Sequence, residues 1–143
     1  MGLLKHAILP FFVLVDALLV VKCLLSESMT DDLFGPDGAF QRDMNKNPIT
    51  PLELHGLHCV GGTCLLLGIN NIAAIAVENA HYRGMALFLQ TLFFAVDGYS
   101  YWKLGMDIPA ILYPLVGVGS VGLVVHSMEP GIFTKDKMKK KSG

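Results

Sequence analysis

Two histidines spaced three residues apart are the first candidates for chemistry in this sequence. His55 and His58 lie in the segment HGLHCVGG, and their spacing places both imidazole rings on one face of a helix. A neutral imidazole is a common metal ligand, so either ring could serve as the axial ligand of a haem iron or a chlorophyll magnesium. The sequence has no HExxH motif and spacing places no general base, so metal-dependent hydrolysis is not predicted.

A second set of polar residues follows a helical stripe further along the chain. Asp97 has Gln90 seven residues before it and Tyr101 four residues after it, so the three side chains share one face. Two more ionisable residues, Asp16 and Lys22, interrupt an apolar stretch near the N-terminus. Ionisable groups are costly in an apolar environment, so their use depends on the elements that bring them together.

Four apolar segments make up most of the chain and decide where these residues can lie. Of the 143 residues, 52% are hydrophobic and 16% are charged, whereas soluble domains have about 25% charged residues. We predict an all-α fold, in which residues 1–143 form a single transmembrane domain, an integral membrane four-helix bundle in the lipid bilayer. The predicted helices cover residues 7–25, 51–78, 85–102 and 108–128, with an acidic loop at 26–49 and a basic tail at 129–143. The net charge of −1 gives no reason to expect a nucleic-acid partner.

The second segment has the clearest helix signals. Thr50 is a predicted N-cap, Pro51 takes the first helical position, and Glu53 is placed to complete a capping box. The run from Leu54 to Val77 contains 24 residues without a formal charge. At about 1.5 Å per residue it is long enough to cross a hydrocarbon layer of about 30 Å.

One broad side of this helix is small and polar, and we expect it to face neighbouring helices of the bundle. In lipid, small residues allow helix backbones to approach, and polar side chains bond to adjacent helices. The residues on this side are His55, His58, Cys59, Gly62, Leu66, Ile69, Asn70, Ala73 and Ala76. The glycines predicted to serve helix packing are Gly61, Gly62, Gly68, Gly117, Gly119 and Gly122. The last three match GxGxxG, but they lie within an apolar stretch rather than after a strand, so a dinucleotide site is rejected.

These elements predict an internal polar cluster. The third helix runs opposite to the second, which brings Asp97 into the same leaflet as His55 and His58. We expect these three side chains to meet, with Gln90 and Tyr101 on the same stripe. Asp16 and Lys22 of the first helix are additional candidate members.

Such a cluster has three interpretations. It could be structural, as interhelical hydrogen bonding that holds the packing. It could orient a sterol, another lipid or a quinone in a pocket. It could instead ligate a haem or chlorophyll through His55 or His58, although the sequence requires no cofactor. The chain shows no catalytic constellation, which favours a protein that is not an enzyme.

Charge placement predicts the topology. Lys22 takes the place of a cleavage site and Asp16 breaks the apolar core, so the first segment is predicted to be a transmembrane helix rather than a signal peptide. With four crossings, both termini share a side with the turn near Arg83. The basic residues on that side are Lys5, Arg83, Lys135, Lys137, Lys139, Lys140 and Lys141. The excess places both termini in the cytosol or its equivalent.

The last four residues also resemble a targeting signal. Lys140 and Lys141 followed by two residues match the dilysine retrieval signal of endoplasmic-reticulum membrane proteins. The other interpretation is a basic patch held by anionic lipid. The endoplasmic reticulum is therefore favoured, with the mitochondrial inner membrane and the thylakoid as alternatives.

Several features together resemble a known family. These are the four short helices, the N-P-I-T element at 47–50, the tight turn at 79–83 and the dilysine ending. From residue 47 onwards the chain resembles the ergosterol biosynthetic protein 28 family, small scaffolds of the endoplasmic reticulum. The resemblance implies a protein that tethers enzymes and has no catalytic residues of its own. The segment HGLHCVGG and Asp97 lie outside that family's pattern.

Two functions follow as hypotheses. The first is a non-enzymatic scaffold or accessory subunit of a larger membrane complex, bound to other membrane protein subunits. The second is a membrane protein that binds a lipid, sterol, pigment or haem through His55, His58 and Asp97, as a photosystem or respiratory-complex subunit could. Retention of a larger complex in mild detergent would favour the first, and a visible absorption band would favour pigment binding.

Overall fold

The computed structural model describes residues 2–25, 50–103 and 109–129, and these residues form four helices and no strand. We number the helices α1, Leu4–Leu25; α2, Pro51–Ala76; α3, Ala80–Lys103; and α4, Pro109–Met128. The first and last turns of α1 have the wider π-helical hydrogen bonding. The all-α prediction and its four helices are thus confirmed for the described residues. The acidic loop and most of the basic tail lie outside them.

The predicted start of α2 is confirmed in atomic detail. The Thr50 hydroxyl accepts a hydrogen bond from the Glu53 backbone N–H at 3.2 Å, and the Glu53 carboxylate accepts one from the Thr50 N–H at 2.8 Å. Two donors that a helix start leaves unpaired are therefore satisfied within one capping box.

The turn after α2 is shorter than the sequence predicted, because α3 begins at Ala80 rather than residue 85. The Asn79 carboxamide accepts a hydrogen bond from the Tyr82 N–H at 3.1 Å and so acts as an N-cap. Arg83, on the first turn of α3, donates to the carbonyls of Ala74 and Val77 at 3.1 and 2.8 Å. These bonds satisfy carbonyls that the end of α2 leaves open, so the polar residues assigned to a turn belong to a helix.

The helices pack as two antiparallel pairs, with α1 along α2 and α3 along α4, and the first turn of α1 also meets α4. The pairs meet in a core where the rings of Phe12 and Phe94 stack with centroids 6.0 Å apart. The buried members of this core are Leu4, Ile8, Leu9, Phe12, Ala74, Ala86, Leu87, Phe94 and Leu112.

Four of the six glycines predicted for helix packing do lie at close contacts. A Cβ on Gly61 would meet Leu24 and Cys23 of α1 at 3.0–3.2 Å. Gly68 lies against Asp16, and Gly119 lies against Thr91. Gly122 lies against Ile8 and Leu87. Gly62 and Gly117 have no neighbouring atom within 4 Å of such a Cβ, so both face open space.

By length and composition, α1 and α2 are able to cross a membrane. The apolar part of α4, Leu112–Met128, is shorter. Many large apolar side chains point outward from the bundle, and Leu14, Leu18 and Leu66 are each about two-thirds exposed. The outer surface is therefore apolar to a degree that is unusual for a protein in water.

Candidate functional site

Three helices each contribute one polar side chain to a closed ring of hydrogen bonds in the interior. The Gln90 carboxamide of α3 donates to Asp16 Oδ1 of α1 at 2.8 Å. The Asn71 carboxamide of α2 donates to Asp16 Oδ2 at 3.2 Å and to Gln90 Oε1 at 2.8 Å. Asp16 is 1% exposed, and Asn71 and Gln90 are fully buried. We call these three residues the buried ring.

The position of the ring follows from the inner face of α2. Asn71 lies three residues after Gly68, so the two share a face of the helix. A Cβ on Gly68 would lie 3.3 Å from Asp16 Cβ and 3.8 Å from Asp16 Oδ2. Because Gly68 has no side chain, α1 and α2 approach closely enough for Asn71 to reach the carboxyl group.

The directions of the hydrogen bonds show what the ring supplies and what it lacks. Both Asp16 oxygens act as acceptors, and each carboxamide donates through its NH₂ group. Asn71 Oδ1 is buried and accepts no hydrogen bond. The two oxygens of a carboxyl group offer up to about four acceptor positions, and among the described residues only Asn71 and Gln90 donate to Asp16. The ring therefore has a surplus of acceptors.

The Asp16 carboxyl group has no cationic partner in the described part of the chain. The two groups that bond to Asp16 are neutral carboxamides, and no ion pair to Asp16 forms among the described residues. The ring is therefore held together by hydrogen bonds between one carboxyl group and two carboxamides.

A groove of about 260 Å³ lies between α1 and α2, and Asp16 is the one member of the ring among its lining residues. Its lining residues are Val13, Asp16, Ala17, Val20, Val21, Cys64, Leu65, Gly68, Ile69 and Ile72. Asp16, Cys64 and Gly68 are the buried members, so they form the floor, while exposed or half-buried apolar side chains form the walls. The surface of the groove is thus almost entirely apolar.

The predicted cluster of His55, His58 and Asp97 does not form. Both histidines are exposed, and the His55 ring contacts the Cys59 thiol of its own helix at 3.6 Å. Asp97 is half-buried and makes no hydrogen bond to either histidine. Lys22 is exposed and Tyr101 is half-buried against the core, and neither contributes to the ring. Of the predicted members, the structure brings together only Asp16 and Gln90.

The physical reason is the rotation of α2. The sequence predicted that its His55 side would face the bundle, but the buried residues of α2 are Leu57, Gly61, Cys64, Gly68, Asn71 and Ala74. This face also contains small and polar residues, and it additionally buries Leu57. Gly61 rather than Gly62 therefore meets α1, and the His55 side faces outward.

Asn71 is the functional candidate that the sequence analysis missed. A signal was present, because Asn71 and Asn70 are adjacent in an otherwise apolar run, and one helix cannot direct both toward the same neighbour. Asn70 was assigned to the contact face. In the structure Asn70 Oδ1 accepts a hydrogen bond from the Tyr82 hydroxyl at 2.8 Å, and Asn70 Nδ2 is buried without a partner.

A second buried polar contact joins the end of α4 to the start of α3. The His126 ring donates through Nε2 to the Ala80 carbonyl at 2.9 Å. His126 Nδ1 lies 3.8 Å from the Glu129 carboxylate, an ion pair when the ring is protonated. The ring also lies against Gly84, where a Cβ would meet it at 3.0 Å. This contact holds two helix ends together.

Chemically, the buried ring consists of one carboxyl and two carboxamides, which can bind or position a group through hydrogen bonds. In the described residues no group of three or more His, Cys, Asp or Glu side chains could hold a metal ion. Lys140 and Lys141 lie outside the described residues. A comparison of the chain with protein-family models, curated proteins and solved structures finds no match in any of the three.

Proposed function

We propose that this chain is an integral membrane protein that acts as a non-enzymatic accessory subunit or scaffold of a larger membrane complex. The observation that carries the proposal is the outward face of α2. Here His55, His58 and Cys59 are exposed and Gly62 faces open space. We call these four residues the outer face.

Membrane integration is supported by the lengths of the helices and by the apolar outside of the bundle. The spans of α1 and α2 suffice for a bilayer, and large side chains such as Leu14 and Leu18 point outward. In our proposal α3 and α4 complete four crossings. The basic residues then place both termini on the cytosolic side.

The outer face differs from a surface that contacts only lipid. Lipid-facing helix surfaces carry large apolar side chains, whereas small and polar residues in membranes lie where helices meet. A histidine facing acyl chains gains no hydrogen bond, so it is costly there. An occupied outer face removes this cost, which is why we infer a partner helix.

The chemistry of the outer face also describes its partner. Open space at Gly62 allows a second helix to approach the α2 backbone, provided that its own contact residues are small. The partner is therefore a transmembrane helix with small residues and with polar groups that can hydrogen-bond to His55 or His58. The resemblance to the ergosterol biosynthetic protein 28 family is in keeping with a tethering role in the endoplasmic reticulum.

The proposal is tested by isolating the complex. The tagged full chain, expressed in its native cells and extracted in mild detergent, is expected to elute with other subunits, at a mass well above 15.5 kDa plus detergent. Gly62→Leu fills the open space on the outer face and should release the chain from its partners. Gly117→Leu is the matched control, because Gly117 also faces open space but lies on α4.

Two results would contradict this function. A stable lone chain in mild detergent would remove the complex itself. Equal retention of partners by the Gly62→Leu and Gly117→Leu variants would show that the outer face is not where they bind. Light scattering of each variant, corrected for detergent, measures both outcomes.

A further inference from the structure

We propose that the outer face binds a zinc ion shared between two copies of this chain, with His55 and Cys59 of each copy as the ligands. This site rests on the proposed function, because it needs assembly through the outer face. It identifies the partner helix as α2 of a second copy, and it identifies the link between the two copies as a metal ion.

The separation of the His55 and Cys59 side chains matches that of two zinc ligands. The residues lie four apart on α2, so their side chains share one face of the helix, and both are exposed. His55 Nε2 lies 3.6 Å from Cys59 Sγ. Zinc bonds to nitrogen at about 2.0–2.1 Å and to sulfur at about 2.3 Å, so two such ligands at a tetrahedral angle lie about 3.6 Å apart. The pair therefore already has the spacing that one zinc ion requires.

One chain supplies only half of such a site. Structural zinc sites have four ligands, drawn mostly from cysteine and histidine. Among the described residues no group of three or more His, Cys, Asp or Glu side chains could hold a metal ion, so His58 does not complete the pair. The segments outside the described residues contain no histidine and no cysteine. Further histidine or cysteine ligands must therefore come from another chain.

A second copy supplies these ligands at the same depth in the membrane. Two copies inserted in the same orientation are related by a two-fold axis along the membrane normal, and this axis keeps each residue at one depth in both copies. When the two outer faces meet, His55 and Cys59 of one copy therefore lie opposite the same residues of the other. Two histidines and two cysteines are a common ligand set for structural zinc. Two thiolates also balance the charge of the ion, which leaves the site neutral next to lipid.

Gly62 allows the two helices to approach each other. It lies three residues after Cys59, and a Cβ on Gly62 would meet no atom within 4 Å. A partner of the outer face needs small contact residues and polar groups near the histidines. A second outer face meets both requirements, because it brings its own Gly62 and its own His55 and Cys59.

The site lies within reach of metal ions from the aqueous phase. His55 follows the N-cap residue Thr50 by five residues, which is about 7.5 Å along the helix axis, and Cys59 lies about 6 Å deeper. The pair thus lies in the first turns of α2, away from the centre of the bilayer. Each Cys59 thiol binds zinc as a thiolate and releases its proton to water. The other two cysteines, Cys23 and Cys64, are buried, so Cys59 is the accessible thiol of the chain.

The experiment adds cobalt(II) chloride, a spectroscopic substitute for zinc, to the purified full chain in mild detergent. We expect a sulfur-to-cobalt charge-transfer band and the visible bands of tetrahedral cobalt, which saturate at one ion per two chains. Zinc chloride should displace the cobalt and remove these bands. Light scattering should show a dimer with either metal and a monomer after EDTA. Saturation at one ion per chain, or a chain that stays monomeric with metal, would overturn the shared site.

Four variants connect the spectrum to the structure. Cys59→Ser should lose the charge-transfer band, and His55→Ala should lose the saturation at one ion per two chains. His58→Ala changes another exposed histidine of the outer face and is the matched control, which should keep both properties. Gly62→Leu keeps all the ligands but holds the helices apart, so it should lose the metal-dependent dimer. A cobalt-dependent dimer of Cys59→Ser, or an equal loss in His58→Ala, would overturn the assignment of the ligands.

The same variants separate failure of this site from failure of the proposed function. If cobalt leaves the purified chain monomeric while Gly62→Leu still releases the partners from the native complex, the outer face binds a different subunit. In that case only the shared metal site is wrong. Retention of the native partners by Gly62→Leu would instead contradict assembly through the outer face itself.

Discussion

Asn71 of the buried ring and the outer face lie on two different sides of α2. The side with Asn71 is packed inside the bundle, whereas the outer face is exposed. On one side of α2, Asn71 bonds to two other helices and Gly61 lies against the α1 backbone. On the other side His58 is exposed and Gly62 has no neighbour. Both sides combine small and polar residues within the same apolar run.

Small and polar residues on an apolar helix therefore predict that the helix contacts another helix, but they do not identify which one. The inner contact is made within the chain, because α1 and α3 can deliver Asp16 and Gln90 to Asn71. The outer face has no such complement among the described residues. We therefore interpret the Asn71 side of α2 as a contact that stabilises the fold and the outer face as a contact with another subunit. The predictions below test this distinction.

The largest expected effect is loss of stability when the ring loses one member. Asn71→Ala removes two hydrogen bonds and leaves Asp16 buried with less compensation, which should lower the free energy of unfolding by about 3 kcal/mol. Denaturant unfolding in detergent, followed by circular dichroism, measures it. The control His58→Ala, on the exposed side of α2, should change stability by less than about 0.5 kcal/mol. Equal effects of the two variants would contradict the comparison.

A related change removes the ring as a whole. Replacing Asp16, Asn71 and Gln90 together with Leu leaves none of the ring's polar groups buried without a partner, so the protein should unfold at a denaturant concentration close to that of the wild type. If the triple variant lost as much stability as Asn71→Ala, the hydrogen bonds themselves would be the main stabilising term.

Next in size is the contrast between inner and outer glycines. Gly119→Val drives a side chain into Thr91 of α3, and overpacking of this kind costs about 1–3 kcal/mol. Gly117→Val, two residues earlier on the same helix, points into open space and should change stability by less than about 1 kcal/mol, because Val meets no neighbour there and has a higher helix propensity than Gly. Thermal unfolding of both variants measures the difference. Similar losses would show that the inner and outer sides of α4 are not distinct.

A smaller effect sharpens the boundary between the two sides at Asn70. Tyr82→Phe removes the hydrogen bond to Asn70 Oδ1 and should cost about 1 kcal/mol, with no loss of partner subunits. Asn70→Ala removes the same bond together with the buried Nδ2. Because Nδ2 is enclosed within the chain, this variant should cost a similar amount of stability and should also keep the partner subunits. Loss of partners from Asn70→Ala alone would show that Asn70 belongs to the partner contact.

The smallest expected effect concerns pigment binding. Because His55 and His58 face outward and do not meet Asp97, we expect the purified chain to show no haem or chlorophyll band in the visible spectrum. Absorption spectroscopy of the wild type and of His58→Ala measures this. A Soret or chlorophyll band that disappears in His58→Ala would assign the outer face to a pigment instead of a partner helix.

Much of the local structure could be predicted because short-range rules determine it. Thr50, Pro51 and Glu53 form the start of α2 as predicted, since a capping box involves only neighbouring residues. The start of α3 was missed because Asn79 and Arg83 were interpreted as turn residues. Their side chains instead cap helix ends, and the capping role of Arg83 depends on where α2 ends in space.

The sequence by itself determined the number of helices, the capping of α2 and the presence of polar groups, including Asp16 and Gln90, that need partners in an apolar setting. Only the tertiary structure decided which groups meet. Two sides of α2 carry similar small and polar residues, so periodicity cannot choose between them. The choice depends on how well each side fits its neighbours, and the side with Gly61, Gly68 and Asn71 fits α1 and α3. Burial of that side turned the histidines outward, because a helix rotates as a rigid body.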